Sequence, residues 1–349
     1  MPPHWLPLAA EGSFPGGKSD AGCTGAGCVV PPAGVCGDPQ NDPQNCGACG
    51  HACGSQACNA GACGPAATIV PIAAVSPYLN SLAVDTAFVY FTDRSFSGGV
   101  YRAPIAGGTA TLLAADSTPH ALVLSGGSLL FGADPSSAAV VRKISTAGGA
   151  VKSLATCSAS AQSLAADAAN VFWTTYYTYD VAEAPMAGGP AVTLGTTRPA
   201  LAVMAVDATN LYWIESGNIV FVPKLGGSPS PLVSGMNVET MILYGGYLYF
   251  GAWKGYNDAA TGLYRVPVAG GAPTAIATGL FNVTTLVTDG TTVYFADGLN
   301  DFSILRRAPA AGGGKFVSLS GYLPTPLWSA IDGSWVYWND QRSIYRTAR

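Results

Sequence analysis

The chain has 349 residues, of which only 10% are charged, and its formal net charge is −4. So small and slightly negative a charge, without any cluster of Lys or Arg, makes nucleic acid and anionic membrane surfaces poor partners. No run of eighteen apolar residues is present, so the sequence predicts no membrane span.

Residues 1–22 lack the basic start and apolar stretch of a signal peptide, and the sequence predicts a flexible N-terminal segment there. The next segment, residues 23–65, holds eight of the nine cysteines of the chain. They are Cys23, Cys28, Cys36, Cys46, Cys49, Cys53, Cys58 and Cys63. Because its large apolar residues are only Val29, Val30 and Val35, this segment cannot build a hydrophobic core and needs cross-links.

Two kinds of cross-link fit the cysteine segment. An even number of cysteines favours four disulfides in an oxidising compartment, with a pairing that the sequence does not fix. Zinc is the alternative, because three cysteines with CxxC-like spacing lie around His51, but no convincing second pair follows them. We therefore predict a small disulfide-rich module at 23–65 and an extracellular or cell-surface protein, although no signal peptide is recognisable.

The stretch DPQNCGACGHAC, followed by Cys58 and Cys63, resembles the Cys-rich repeat of the stigma-specific protein family. The resemblance covers residues 41–63 and implies an extracellular setting.

From residue 66 onward the chain is repetitive. A pair of large apolar residues, in most cases both aromatic, recurs at intervals of 37 to 45 residues. The seven pairs are Tyr90-Phe91, Leu130-Phe131, Phe172-Trp173, Tyr212-Trp213, Tyr249-Phe250, Tyr294-Phe295 and Tyr337-Trp338. A period near forty, with short apolar runs between Gly-rich turns and no helical spacing, predicts a β-propeller of four-stranded blades at 66–349.

Two turn signals recur among the predicted blades. An Asp stands five residues before the first member of the pair in five units, at Asp85, Asp167, Asp207, Asp289 and Asp332. It is expected to bond the amides of the hairpin between the first and second strands. A Gly-Gly pair, as at Gly107-Gly108, is expected to form the tight turn between the third and fourth strands.

The seventh unit lacks a fourth strand, since the chain stops at SIYRTAR. The segment ATIVPIAA at 67–74 is an apolar run without a unit of its own. We predict that this N-terminal strand completes the seventh blade, because a closed ring leaves no exposed sheet edge there. The fold class is therefore all-β, a seven-bladed propeller closed by an N-terminal strand.

Segments such as LAVDTAFVYFTD, MAVDATNLYWIE and AIDGSWVYWND, with GGVYRAPIAGG or GLYRVPVAGG, resemble the YWTD repeats of the low-density lipoprotein receptor class of propellers. This resemblance implies a six- or seven-bladed extracellular interaction domain. Two units depart from the pattern: Ser125 and Leu130 replace the Asp and the aromatic in the second, and Tyr244 replaces the Asp in the fifth.

Several recurring residues are expected to be structural. We assign the aromatic pairs to core packing, since each ring buries roughly 150 to 250 Å², and the aspartates to turn capping rather than to a metal site. Cys157 is expected to be a lone thiol.

The loops between second and third strands differ widely in length, and in a propeller they share one face with the connections between blades. Aromatic residues concentrate there, so we predict a surface that binds a protein or a glycan. The predicted ligand-binding residues are Tyr176, Tyr177, Tyr179, Trp253, Tyr256, Phe302 and Arg198.

An enzyme is the alternative function. No catalytic motif is present, but propeller enzymes such as lyases and lactonases assemble sites from single residues at the mouth of the central channel. The starts of the innermost strands carry Asn80, His120, Gln162, Ala202, Glu239, Thr284 and Leu327. In this reading His120 and Glu239 are catalytic, and Asn80, His120 and Glu239 hold a divalent cation such as calcium or magnesium. The preferred reading requires neither cofactor nor metal, and the sequence leaves the oligomeric state unknown.

Overall fold

The computed structural model describes residues 46–48, 51–53, 56–59, 61–64, 67–76, 78–95, 98–116, 118–134, 138–196, 203–255, 258–299, 302–313, 316–324, 328–340 and 342–349. These residues contain strands and turns and no helix. Accordingly, the described part of the chain has no helix long and apolar enough to cross a membrane.

The strands group into one hairpin and seven four-stranded antiparallel sheets. The N-terminal strands are β1 (Ala57–Asn59), β2 (Ala62–Gly64) and β3 (Val70–Ala74). Blade 1 contains β4 (Leu79–Val84), β5 (Phe88–Asp93), β6 (Gly99–Pro104) and β7 (Thr111–Ala115). Blade 2 contains β8 (Leu122–Ser125), β9 (Ser128–Ala133), β10 (Val140–Ser145) and β11 (Lys152–Thr156). Blade 3 contains β12 (Ala161–Ala166), β13 (Asn170–Thr175), β14 (Asp180–Pro185) and β15 (Val192–Thr196).

The remaining blades follow the same order along the chain. Blade 4 contains β16 (Met204–Val206), β17 (Asn210–Glu215), β18 (Asn218–Pro223) and β19 (Ser230–Val233). Blade 5 contains β20 (Val238–Tyr244), β21 (Tyr247–Ala252), β22 (Gly262–Pro267) and β23 (Thr274–Thr278). Blade 6 contains β24 (Val283–Thr288), β25 (Thr292–Leu299), β26 (Phe302–Pro309) and β27 (Val317–Pro324). Blade 7 contains β28 (Ser329–Ile331), β29 (Trp335–Asn339) and β30 (Ser343–Ala348), and β3 is its outermost strand.

The seven blades form a closed ring. The first strand of each blade contacts the first strands of both neighbours, from β4 through β28 and back to β4. These innermost strands therefore surround a central axis. The predicted closure is confirmed, because β3 pairs antiparallel with β30, with Val70 opposite Arg346 and Ala74 opposite Ser343.

The apolar pairs fill the seams between blades. Neighbouring residues on a strand point to opposite faces of its sheet. Tyr90 accordingly packs in the cluster shared with blade 2, whereas Phe91 packs in the cluster shared with blade 7. The other six pairs divide in the same way between their following and preceding blades. All fourteen side chains of the pairs are buried, which confirms their assignment to core packing. At about 25 cal/mol per Å², each fully buried aromatic ring contributes roughly 4 to 6 kcal/mol of transfer free energy.

The aspartates close the first hairpin, as predicted. Asp207 Oδ1 accepts the backbone N–H groups of Thr209 and Asn210, at 2.7 Å each. Its Oδ2 accepts the hydroxyl of Tyr212 at 2.7 Å, and Asp85 with Tyr90 and Asp332 with Tyr337 repeat this contact.

The two blades without this Asp use a different turn. Ser125 and Ser128 of blade 2 are joined by two glycines with φ of +54° and +70°, and Tyr244 and Tyr247 of blade 5 by two glycines with φ of +57° and +78°. Two successive positive φ angles define the type I′ hairpin, so glycine replaces the side-chain cap.

The turn between the third and fourth strands of a blade packs against the preceding blade. The N–H of Gly108 in blade 1 donates to the carbonyl of Ile72 in β3, at 3.1 Å. The N–H of Gly189 in blade 3 donates to the carbonyl of Leu154 in β11, at 3.0 Å. The Gly-Gly turns therefore supply both the predicted turn geometry and a close approach between blades.

The cysteine hairpin is cross-linked and lies against blade 6. Disulfides join Cys46 to Cys58 and Cys53 to Cys63, and β1 contacts β27. The remaining cysteines of the predicted module, Cys23, Cys28, Cys36 and Cys49, lie outside the described residues. Disulfides rather than zinc thus cross-link the described cysteines. Cys157 is a free, buried thiol, as predicted, and burial raises its pKa to about 12.

Candidate functional site

Because each blade is an antiparallel meander, its turns lie alternately on two opposite faces of the ring. We call the face with the second-to-third-strand loops and the blade connections the loop face, and the opposite one the hairpin face. Five aromatic side chains are exposed among the described residues. Tyr78, Tyr176, Tyr177 and Trp328 lie on the loop face, and Tyr244 lies in a turn of the hairpin face.

The loop of blade 3, residues 176–179, is strained. Tyr177 and Tyr179 have φ of +69° and +57°. For a bulky residue this left-handed backbone is an outlier that costs on the order of 1 to 2 kcal/mol, because Cβ approaches the following carbonyl. Gly or Asn would adopt it at lower cost, so folding alone does not explain two tyrosines at these positions.

A polar network holds this loop in place. Thr175 Oγ1 lies 2.7 Å from Thr178 Oγ1 and accepts the N–H of Asp180 at 2.9 Å. Thr178 Oγ1 lies 2.9 Å from Ser158 Oγ, which donates to Asp180 Oδ2. The network uses neither tyrosine ring, and both Tyr176 and Tyr177 remain exposed, by 39% and 62%.

The loop of blade 5 is joined to the connection that enters the blade. The N–H of Trp253 donates to the carbonyl of Asn237, and Asn237 Nδ2 donates to the carbonyl of Trp253, at 3.1 Å each. The Trp253 side chain is half-buried. Phe302 was predicted to lie in a loop, but it begins β26 and pairs with Leu299. The reason is that β25 and β26 are longer than the second and third strands of the other blades.

Two predicted binding residues, Tyr256 and Arg198, lie outside the described residues. All five non-glycine residues with positive φ in the described chain lie on the loop face. They are Thr118, Tyr177, Tyr179, Ser216 and Asn237. On the hairpin face the described positive φ angles belong to glycines, so backbone strain is concentrated on the predicted binding surface.

At the mouth of the channel, a β-bulge recurs at the start of four innermost strands. The pairing of the first and second strands shifts register by one residue in blades 1, 3, 5 and 6. The residue at each shift belongs to the predicted channel series: Asn80, Gln162, Glu239 and Thr284. Such β-bulges redirect a side chain and are frequent beside active sites.

The predicted metal ligands have separate partners. Asn80 Oδ1 accepts from Arg94 Nη1 at 3.4 Å, and Glu239 Oε2 accepts from Asn282 Nδ2 at 2.8 Å. His120 lies just before β8 and is almost fully buried. In the described chain, the one group of three potential His, Cys, Asp or Glu ligands within 4.8 Å of one another is Cys46, Cys53 and Cys63, which form disulfides.

His120 and Ser160 both bond to the carboxylate of Asp134, between blades 2 and 3. His120 Nε2 donates to Asp134 Oδ2 at 2.6 Å, and Ser160 Oγ donates to the same oxygen at 2.5 Å. Although burial acts to raise it, these two hydrogen bonds hold the pKa of Asp134 below its ordinary value. His120 Nδ1 is buried without a hydrogen-bond partner in the described structure.

The sequence analysis did not identify the residues that support the blade 3 loop or those that surround His120. Asp134 and Ser160 belong to different blades. Ser158, in the connection before blade 3, bonds to Asp180, which begins the third strand of that blade. No local motif joins these residues. A groove of about 580 Å³ lies elsewhere, between blades 6 and 7, and contains none of the predicted site residues.

No protein-family model matches the sequence, and no curated protein matches it either. Among solved structures, 672 chains match. A chain in a crystal structure of the mitotic checkpoint complex superposes with a TM-score of 0.62 at 14% identity, covering 81% of this chain and 94% of that one. Virginiamycin B lyase from Staphylococcus aureus superposes with a TM-score of 0.61 at 12% identity, covering 81% of this chain and 98% of that one.

A chain from a nidogen/laminin complex reaches a TM-score of 0.44 at 19% identity and covers 55% of this chain and 76% of that one, too little to establish a shared topology. The likenesses therefore show the propeller fold alone. At these identities the same fold carries unrelated functions.

Proposed function

We propose that this chain is an extracellular or cell-surface binding module that recognises a protein or glycan partner through its loop face. The observation that carries the proposal is the strained blade 3 loop, which presents Tyr176 and Tyr177 to solvent on a hydrogen-bonded support. Rigid aromatic side chains lose little conformational entropy on binding, which is why Tyr and Trp dominate interface hot spots.

The remaining parts of the proposal concern setting and organisation. The Cys46–Cys58 and Cys53–Cys63 disulfides support an oxidising compartment, since such bonds are rare in the cytosol. We assign 23–65 to a disulfide module, with its stigma-specific type repeat at 41–63, and 66–349 to YWTD-type repeats. The hydrogen bonds of Asp85, Asp207 and Asp332 to the tyrosine five residues later support the repeat assignment, because they link its two recurring residues.

The test is capture of partners from extracellular extract and from a glycan array by the folded chain. Tyr177→Ala and Trp253→Ala are expected to weaken binding by about tenfold or more, as truncation of a hot-spot residue does. Tyr244→Ala is the matched control, an exposed tyrosine on the hairpin face. Equal affinities of the wild type, Tyr177→Ala and Trp253→Ala would contradict the proposal.

The second candidate function is a metal-assisted lyase or lactonase with its site at the channel mouth. It is favoured by the β-bulges that hold Asn80 and Glu239 at the starts of innermost strands. The fold shared with virginiamycin B lyase makes such a position available, but the likeness extends to the fold alone.

Titration calorimetry with Ca²⁺ and Mg²⁺ separates the two functions. The enzyme reading expects cation binding that is lost in Glu239→Ala and weakened in His120→Asn, with the melting temperature of Glu239→Ala unchanged because Glu239 is exposed. The binding reading expects loop-face binding to be insensitive to Glu239→Ala. Tight cation binding that disappears in that variant would favour the enzyme.

A further inference from the structure

A short polar row lies at the foot of the aromatic pair in blade 3. Thr178 and Ser158 are both exposed, their hydroxyl oxygens lie 2.9 Å apart, and Ser158 donates to Asp180 Oδ2. Asp180 is half-buried, and its carboxylate accepts from Ser158 through Oδ2. The row therefore places two hydroxyls and one carboxylate side by side, next to the exposed tyrosines.

The aromatic pair beside this row is preorganised. The rings of Tyr176 and Tyr177 pack edge to face, with centroids 4.3 Å apart and planes at 66°. The N–H of Thr178 donates to the carbonyl of Tyr176, and the N–H of Tyr176 donates to the carbonyl of Ser160, at 2.9 Å each. The loop thus fixes an exposed aromatic face, chiefly that of Tyr177, next to hydrogen-bonding groups.

We infer that this corner of the loop face, formed by Tyr176, Tyr177, Thr178, Ser158 and Asp180, binds a neutral carbohydrate. A pyranose ring has apolar C–H faces and a rim of hydroxyls, so it packs on an aromatic ring and bonds to oxygens at its edge. The site supplies both kinds of contact within one loop and the adjoining connection. This inference rests on the proposed function and specifies the partner.

The size and charge of the site favour a neutral sugar over the alternatives. A stable protein interface covers about 800 Å² per partner, whereas, among the described residues of the loop face, the other exposed aromatics are Tyr78 and Trp328, which belong to blades 1 and 7. Two tyrosines match one or two sugar rings instead. The carboxylate of Asp180 disfavours sialylated and sulfated sugars, because like charges repel.

The experiment uses the full chain on an array of neutral, sialylated and sulfated oligosaccharides, followed by calorimetric titration with the best neutral oligosaccharide. Tyr177→Ala is expected to weaken binding tenfold or more, and Asp180→Asn to weaken it several-fold. Tyr177→Gly is the decisive variant, since glycine adopts a φ of +69° without strain. It is expected to retain or raise the melting temperature while losing binding.

Tyr244→Ala, on the hairpin face, is expected to bind like the wild type. Absence of any bound neutral oligosaccharide, or wild-type affinity in Tyr177→Gly, overturns the inference. Capture of a protein that depends on Tyr177, without glycan binding, overturns the carbohydrate assignment and leaves the binding function standing. Binding that is unaffected by every loop-face substitution contradicts both the carbohydrate inference and the proposed binding function.

Discussion

The hairpin aspartates show how one residue type satisfies two requirements. In blades 3 and 6 the second carboxylate oxygen of the Asp binds a cation of the following blade. Lys224 Nζ lies 2.6 Å from Asp167 Oδ2, and Arg349 contacts Asp289 Oδ2. The same Asp therefore caps its own turn in all five blades and joins two blades in two of them. The sequence predicts the cap from spacing, but the bridging contact needs the folded arrangement.

These contacts predict acid sensitivity. Burial acts to raise the pKa of Asp207, but its hydrogen bonds lower the pKa below the ordinary value, and Asp85 and Asp167 behave alike. A lowered folded-state pKa means that the stabilisation is present above the unfolded value, near pH 4, and is lost as pH falls through the folded value.

We expect the melting temperature to fall between about pH 5 and pH 3 and the fall to be shallower in Asp207→Asn. Asp258→Asn, an exposed loop position with one side-chain bond to a turn amide, is the control. Parallel curves for wild type and Asp207→Asn would contradict this expectation.

Substitutions at Gly312 and Gly313 distinguish the cost of backbone strain in a turn from the cost of a clash with the neighbouring blade. Both glycines have positive φ, +79° and +71°. A Cβ on Gly312 would lie 2.7 Å from the carbonyl oxygen of Ala275 in blade 5, whereas a Cβ on Gly313 would meet nothing within 4 Å. Urea unfolding is expected to show a loss of about 1 kcal/mol for Gly313→Ala and about 2 kcal/mol or more for Gly312→Ala. A smaller loss at Gly312 would show that the two blades separate easily.

At the scale of elements, β27 differs from the outermost strands of blades 1 to 5. Those strands begin with two exposed residues, whereas Ser318, Leu319 and Ser320 of β27 are buried. β1 contacts β27 and buries Ala57 and Cys58, and the N–H of Ala67 donates to the carbonyl of Leu319 at 2.7 Å. The cysteine hairpin and Ala67 thus cover β27 together. The sequence of β27 carries no sign of this cover, because apolar and small residues alternate there as they do in uncovered strands.

Removal of residues 1–64 therefore has a specific expected result. The ring should still close, since β3 is retained, but the part of β27 that β1 contacts becomes available to a second molecule. Light scattering is expected to show a folded propeller that self-associates as concentration rises, with the full chain as the control. A monomeric deletion variant with the melting temperature of the full chain would mean that the hairpin protects nothing.

At the scale of the whole molecule, the repeat pattern predicts the ring because signals for strand, turn and core recur at a regular period in most units. The count of seven blades and the closing strand both follow from those signals, and both are confirmed. The site is less predictable. The stretch TTYYTYD contains neither Gly nor Asn to announce a left-handed backbone, and its support from Ser158 comes from outside the loop. Contacts made between blades leave no local pattern.

Deletion of residues 67–74 tests the closure. Without β3, blade 7 keeps three strands, and the apolar contacts of Ile72 and Ala73 are lost from the seam with blade 1. We expect loss of the single cooperative unfolding transition, measured by circular dichroism and calorimetry. Replacing the hydrogen-bonded Ala74 by Gly is a mild control that should only lower the midpoint. A monomeric deletion variant with an unchanged midpoint would disprove the closure.

The seam in blade 7 also sets the order of events during synthesis. Val70 leaves the ribosome early, but its partner Arg346 lies almost a whole propeller later in the chain. The six other blades can each form their sheets as they emerge, because each is a local meander. The first propeller strand must instead wait, unpaired, until β30 has been translated. Closing so long a loop is slow relative to local pairing, and for that interval β3 is an exposed apolar strand that a chaperone can recognise.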